Sequence, residues 1–187
     1  MAERAVAGVA SSKAGVRNRV LMLGYGNPDD EIIGLAHRFT DLRFVGVDSE
    51  GEGVTRQDLP ENLELVRGDM KSQLEAEDPG SLDMISSKLA FGYYTDYGRE
   101  VTFRYSQEVS DLAFSRLKPG KRFHIIAGAG LKDPISGCLS KSGFSVTVGR
   151  QANPSDGFDL LELETAWMRA MKDSGGKLVL ITGEKPA

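Results

Sequence analysis

Four carboxylates gather around one short glycine turn in this chain. Gly24-Tyr25-Gly26 is followed at once by Asn27-Pro28-Asp29-Asp30-Glu31, and Asp48 closes the next apolar run. Glycines let the backbone bend tightly and approach a bound molecule. An acid about twenty residues further on stands where it can accept hydrogen bonds from ribose hydroxyls. The same carboxylates limit what else the ligand carries. A pyrophosphate would rest on the N-terminus of the helix that follows, where Asp29, Asp30 and Glu31 would repel it. Asp29 also occupies the place of the third glycine in G-x-G-x-x-G, and the absence of Gly-Lys-Ser/Thr excludes a P-loop. A ligand with a ribose and a positive or zwitterionic end suits this turn better.

Holding these residues takes a strand, a helix and a second strand. Val20-Leu21-Met22-Leu23 is an apolar run typical of a strand buried on both faces. Pro28 suits a helix entry, and Asp29 or Asp30 can cap it. Ile32, Ile33, Leu35, Ala36 and Phe39 then recur at helical spacing. Phe44-Val45-Gly46-Val47 is the second strand, ending in Asp48. Further strands are expected over 63–66, 82–87, 122–127, 144–148 and 177–182. Helices are expected over 70–77, 100–117, 135–142 and 160–172, with a helical turn or two over 54–59. Lys118-Pro119-Gly120 should stop the second of these helices and Gly143 should cap the third. Such alternation means an α/β doubly wound, Rossmann-like sheet of seven strands. Residues 1–18 read as a flexible or weakly helical arm, and 19–187 as one domain.

The totals narrow the class. At 187 residues the chain is long enough for a proper core. A formal charge of −4 argues against nucleic acid as partner, because phosphate binding leans on clustered Lys and Arg; a small molecule is favoured. The single cysteine, Cys138, rules out an internal disulfide and fits a reducing compartment, taken as the cytoplasm. His37 and His124 lie far apart without ligand-like spacing, so no metal is expected. No apolar run approaches the roughly 20 residues of a membrane span, so no membrane partner is expected.

The ordered runs resemble the class I S-adenosylmethionine-dependent methyltransferases over nearly everything from Arg19 to Pro186. Val20-Leu21-Met22-Leu23-Gly24-Tyr25-Gly26 is similar to the family's first motif and Val45-Gly46-Val47-Asp48 to its second. Leu65-Val66-Arg67-Gly68-Asp69-Met70 resembles the third, and Leu82-Asp83-Met84-Ile85-Ser86-Ser87 the fourth strand, whose end lines the methyl-transfer site. Leu117-Lys118-Pro119-Gly120-Lys121-Arg122-Phe123 looks like the stretch before strand five. Leu139-Ser140-Lys141-Ser142-Gly143-Phe144 resembles the entry to strand six, and Glu184-Lys185-Pro186 the end of strand seven. The resemblance implies strand order 3-2-1-4-5-7-6 with strand seven antiparallel, S-adenosyl-L-methionine as cofactor, and methyl transfer to a small acceptor. Its cofactor contacts would be Gly24, Tyr25, Gly26, Asp29, Asp48, Ser49, Asp69, Met70 and Ser86. Met22 stands where the family usually has an acid, and Pro28 where it has a third glycine. Asp29 or Asp30 could offset that acid; otherwise the chain is a non-catalytic methyltransferase-like module. A nucleotide-sugar or NAD-binding Rossmann domain is a third reading, disfavoured by the acidic turn.

Other residues carry two readings each. Asp69 either caps the helix at Met70 or accepts from the adenine amino group, and Met70 could equally be core. Phe91, Tyr93, Tyr94 and Tyr97 follow strand four, where open sheets bind ligands. They either line an acceptor pocket or cap the core. Lys88 reads as a solvated charge or as a group steering an anionic acceptor. His124, in mid-strand, is expected to be a satisfied core histidine, and Cys138 lacks a nearby base for nucleophilic work. Trp167, Met168 and Met171 suit packing or a homodimer contact.

Overall fold

A computed structural model describes residues 18–25, 30–50, 58–88, 90–91, 98–149 and 178–187. Strand β1 (Arg19–Leu23) leads into helix α1 (Asp30–Arg38) and strand β2 (Arg43–Asp48). Strand β3 (Leu63–Arg67), helix α2 (Met70–Ala76), strand β4 (Leu82–Lys88) and helix α3 (Gly98–Arg116) follow. Strand β5 (Leu117–Gly128), a 3-10 turn (Ala129–Leu131), helix α4 (Lys132–Lys141), β6 (Ser145–Val148) and β7 (Leu178–Glu184) complete the described elements. The seven strands form one sheet in the order β3-β2-β1-β4-β5-β7-β6. Neighbours from β3 to β5 are parallel, whereas β7 runs antiparallel to both β5 and β6. This is the order and direction the sequence resemblance implies. The helical turns expected over 54–59 and the helix expected over 160–172 fall wholly or mostly outside the described residues, as does the arm over 1–17.

Both faces of the sheet are covered by apolar side chains, which is why its inner strands read as unbroken hydrophobic runs. On one face Val20, Met22, Phe44, Leu63, Leu65 and Met84 pack with Ile32, Ile33 and Ala36 of α1. On the other, Leu21, Leu23, Val45, Val47, Ile85, Phe123 and Ile125 pack under Leu74 of α2, Val109 and Ala113 of α3, and Ile135 and Leu139 of α4. Phe123 meets Phe91 edge-on at 5.5 Å, a favourable aromatic geometry. Cys138 is buried in α4, and burial pushes its thiol up, so it is a packing residue. None of the described helices is long and apolar enough to cross a membrane.

Two local devices fix where the elements lie. Asn62 donates its side-chain amide to the carbonyls of Ala36, Phe39 and Leu42 at 2.9–3.0 Å, gathering the exit of α1 against the start of β3. The second device departs from expectation. Lys118-Pro119-Gly120 does not separate helix from strand; β5 begins at Leu117 and bulges. Leu117 pairs with Leu82 and Arg122 with Met84, so four residues face Asp83 alone. Proline cannot donate to a ladder and Gly120 takes φ +73°, so a bulge is how the strand accommodates them. Lys118 Nζ reaches Asp83 at 2.7 Å across it, and the Arg19 backbone N–H donates to the same carboxylate at 3.0 Å. Gly143, with φ +100°, does end α4 as expected: its N–H bonds Ser140 O and that of Phe144 bonds Leu139 O, both at 3.1 Å.

Candidate functional site

Strand order reverses between β1 and β4, and open α/β sheets bind ligands outside the carboxyl ends of their strands at such a switch point. Gly24 ends β1 there with φ +71°, and its N–H donates to Val47 O at 2.7 Å, tying the exits of β1 and β2 together. A Cβ on Gly24 would stand 2.0 Å from the Cβ of Ala90, just beyond β4. Only glycine allows the chain leaving β1 to lie this close to the chain leaving β4. Asp48 sits half-buried at the tip of β2, its Oδ1 accepting the Glu50 N–H at 2.9 Å and its carbonyl accepting the Gly68 N–H at 3.0 Å. Ser49 beside it is exposed, with its carbonyl turned to Arg67 Nε at 3.4 Å.

Asp69 realises its capping alternative. Its backbone is extended at the N-cap of α2, and Oδ1 accepts the Ser72 N–H at 3.0 Å. Its Oδ2 accepts the hydroxyl of Tyr105 from α3, and Lys71 Nζ pairs with Glu108 of α3 at 2.7 Å. The two helices are thereby stitched together beside the tip of β3. The signal for Tyr105 in the sequence is its place one helical turn before Val109 on the inner face of α3. A cap substitution costs about 1 kcal/mol when alanine replaces aspartate, while asparagine caps equally well. Asp69→Ala is therefore expected to lower stability by about that amount in urea unfolding and Asp69→Asn by a few tenths; equal losses would mean the charge, not the cap, is what counts.

Several expected contact residues turn their side chains into the core. Tyr25 is buried against α1, with its ring so near Gly46 that a Cβ there would meet Tyr25 Cδ1 at 2.9 Å; only its main chain stays at the crevice. Met70 is likewise core. Of the two readings of Phe91, the structure takes the core one and not the acceptor pocket: the ring is fully buried against Phe123, with its N–H bonded to Ser87 Oγ at 3.1 Å. Ser86 lies in mid-sheet between Met22 and His124, its hydroxyl buried and without a hydrogen bond among the described residues. Met22, where the family's acid is expected, packs in the α1-side core. Gly26, Asp29, Tyr93, Tyr94 and Tyr97 lie outside the described residues. His124 is buried as expected, sharing a 3.2 Å hydrogen bond with Thr182.

One charged pair spans the crevice. Lys88, the last residue of β4, reaches Glu31, the second residue of α1, at 2.5 Å, each side chain about a third exposed at 34% and 29%. Fifty-seven residues separate the two, and only the sheet order brings them together. Among the described residues no group of three or more His, Cys, Asp or Glu side chains is placed to hold a metal.

No established family profile matches the chain, and no curated protein matches it. Solved structures do. A chain from the complex between the Haloferax volcanii Trm112 methyltransferase activator and a methyltransferase aligns with TM-score 0.58 and 19% identity over 91% of this chain and 84% of that one. The 16S rRNA adenine N1-methyltransferase of Catenulisporales acidiphilia gives 0.59 and 14% over 92% and 86%. Phosphoethanolamine N-methyltransferase 2 of Haemonchus contortus gives 0.55 and 17% over 93% of this chain, which spans 50% of that protein. The chain has the class I S-adenosylmethionine-dependent methyltransferase fold.

Proposed function

We propose that the protein binds S-adenosylmethionine at the β1–β4 switch point and transfers its methyl group to a small molecule. The observation that carries this reading is the half-buried carboxylate of Asp48 at the tip of β2, beside the glycine turn that closes β1. An adenosine sugar offers two adjacent hydroxyl donors, and a carboxylate can accept both. Two solved structures with this fold are S-adenosylmethionine-dependent methyltransferases by name, and a third is a methyltransferase in complex with S-adenosyl-L-methionine, which supports the choice of nucleoside. The residues at the crevice fit such a molecule: Asp48 suits the ribose, and Glu31 places a carboxylate, paired with Lys88, at the entry of α1. Asp69 meets the adenine amino group through the lone pairs that Ser72 and Tyr105 leave, with Gly24 and the main chain of Tyr25 along the nucleoside. The cofactor supplies an activated methyl group on a sulfonium, so the protein's task is alignment and electrostatics rather than proton transfer.

The acceptor is the finer part of the proposal. Solved structures with this fold include enzymes named for phosphoethanolamine and for 16S rRNA, so the fold sets no acceptor class. The net charge of −4 supports a small molecule over RNA. Calorimetric titration with S-adenosylhomocysteine tests the nucleoside site, and Asp48→Ala is expected to weaken that binding by more than about tenfold, or roughly 1.4 kcal/mol. A folded protein that releases no heat at millimolar ligand overturns the reading. The burial of Met22 in place of an acid favours a second one, a non-catalytic methyltransferase-like module. S-adenosylhomocysteine that leaves the melting temperature unmoved would favour it.

A further inference from the structure

We propose that Tyr105 is a positioning residue that sets the base selectivity of the nucleoside site: its hydroxyl locks the Asp69 carboxylate into an arrangement that accepts only a base bearing an amino group. This rests on the S-adenosylmethionine reading and extends it to a residue of α3, outside the strand exits that border the crevice.

Asp69 lies two residues beyond β3, with α2 beginning directly after it. Its side chain is exposed, and an exposed side chain of this length ordinarily changes rotamer freely. Here both oxygens are tied. Oδ1 accepts the Ser72 N–H at 3.0 Å and the Ser72 hydroxyl at 3.4 Å, while Oδ2 accepts the Tyr105 hydroxyl. Capping the helix needs only the backbone bond from Ser72, so the hydroxyl from α3 has no part in starting α2. Tyr105 is itself held in place. Its ring packs against the core, and one turn further along α3 Glu108 pairs with Lys71 at 2.7 Å. The direction of the bond is fixed too: the Tyr105 oxygen accepts the Lys71 N–H at 3.4 Å, which leaves the hydroxyl proton to point at Asp69.

Satisfied in this way, the carboxylate is choosy. It offers about four lone-pair positions, and the two donors of Ser72 and the one of Tyr105 fill all but about one of them. All of these neighbours donate, so a group arriving at Asp69 has to bring a proton of its own. The exocyclic amino group of adenine brings one. The carbonyl oxygen that replaces it in hypoxanthine brings none and would face a lone pair. Without the Tyr105 hydroxyl, Oδ2 is free to swing about the Ser72 bond, and the amino group loses its fixed acceptor.

The ligand can be altered at that one position. S-inosylhomocysteine is S-adenosylhomocysteine with hypoxanthine in place of adenine, and both are titrated calorimetrically into the full chain and into Tyr105→Phe and Glu108→Gln. The wild-type protein is expected to prefer S-adenosylhomocysteine by about tenfold or more, the usual worth of one charge-assisted hydrogen bond. Tyr105→Phe removes a single oxygen and keeps the packed ring. It should lower the preference to about threefold or less, through weaker S-adenosylhomocysteine binding, with S-inosylhomocysteine affinity within about twofold of wild type. Glu108→Gln breaks the neighbouring tie between the same two helices and should keep the preference, which separates the hydroxyl from general bracing. If the wild type binds both ligands and Tyr105→Phe leaves their ratio as it was, the role of Tyr105 is overturned while the nucleoside site stands. Equal losses for both ligands in that variant also overturn it, as does a Glu108→Gln ratio that falls as far, because bracing of the helices would then be the cause. A wild type that binds the two ligands equally well overturns it by showing that Asp69 does not read the base. If neither ligand binds the wild type, the S-adenosylmethionine reading itself fails and takes the role of Tyr105 with it.

Discussion

Replacing Gly24 by valine is expected to cost about 2–5 kcal/mol of stability and to abolish ligand binding at the switch point. The estimate has two sources. At φ +71° a residue with a Cβ loses about 1–2 kcal/mol, and a β-branched one fares worst. The new Cβ would also fall 2.0 Å from that of Ala90, and overfilling a packed site costs about 1–3 kcal/mol more. The sources can be separated, because the clash needs both residues. Gly24→Ala should suffer both penalties, whereas the Gly24→Ala/Ala90→Gly double variant should retain only the conformational one, about 1–2 kcal/mol. Urea unfolding measures all three. A Gly24→Val protein within 0.5 kcal/mol or so of wild type would mean that the two strand exits are not in contact.

Mild acid should destabilise the protein through His124. Burial, with the Arg122 guanidinium adding to it, pushes this imidazole down to about 4. The folded ring is therefore neutral where the unfolded one, near 6.5, takes up a proton. A depressed histidine contributes its full stability above its unfolded value and loses it as pH falls from there toward the folded one. The loss is about 2 kcal/mol at pH 5 and approaches about 3 kcal/mol near pH 4. For a chain of this size, 2 kcal/mol corresponds to a melting temperature lower by roughly 4–8 °C. Carboxylates titrate lower in this range, so the comparison is with His124→Gln, whose melting temperature should fall clearly less between pH 7 and pH 5. Parallel curves for the two proteins would show that His124 can be protonated in place.

How much of this was readable beforehand depends on the range of the interaction. The central strands announce themselves because a parallel sheet covered on both faces leaves no polar alternation. Val20–Leu23 and Phe44–Val47 are continuous apolar runs for that reason. Gly143 could be assigned to a helix end because a left-handed cap is a local demand. Lys118-Pro119-Gly120 misled because a turn tripeptide looks the same whether it ends a helix or bulges inside a strand. What decides is the partner strand, where Leu82 and Met84 set the pairing. The links at the crevice were beyond local reading altogether. Lys88 meets Glu31 only because β4 is placed beside β1, and Tyr105 reaches Asp69 only because α3 lies along α2. The same limit explains Tyr25 and Phe91. An aromatic at a strand exit can face the ligand or fold back into the core, and only the neighbouring Gly46 and Phe123 determine which.

The anchorage at Asn62 has a mechanical consequence for α1. With three carbonyls from its last turn and exit converging on one buried amide, the helix is built in at that end like a beam in a wall. Its opposite end carries Glu31 and is held to the sheet by the side-chain packing of Ile32 and Ile33 and by the Lys88 ammonium, without a comparable backbone anchor among the described residues. A force applied at the entry of α1 is thus expected to move that end more than the anchored exit, tilting the helix like a cantilever rather than sliding it across the strands.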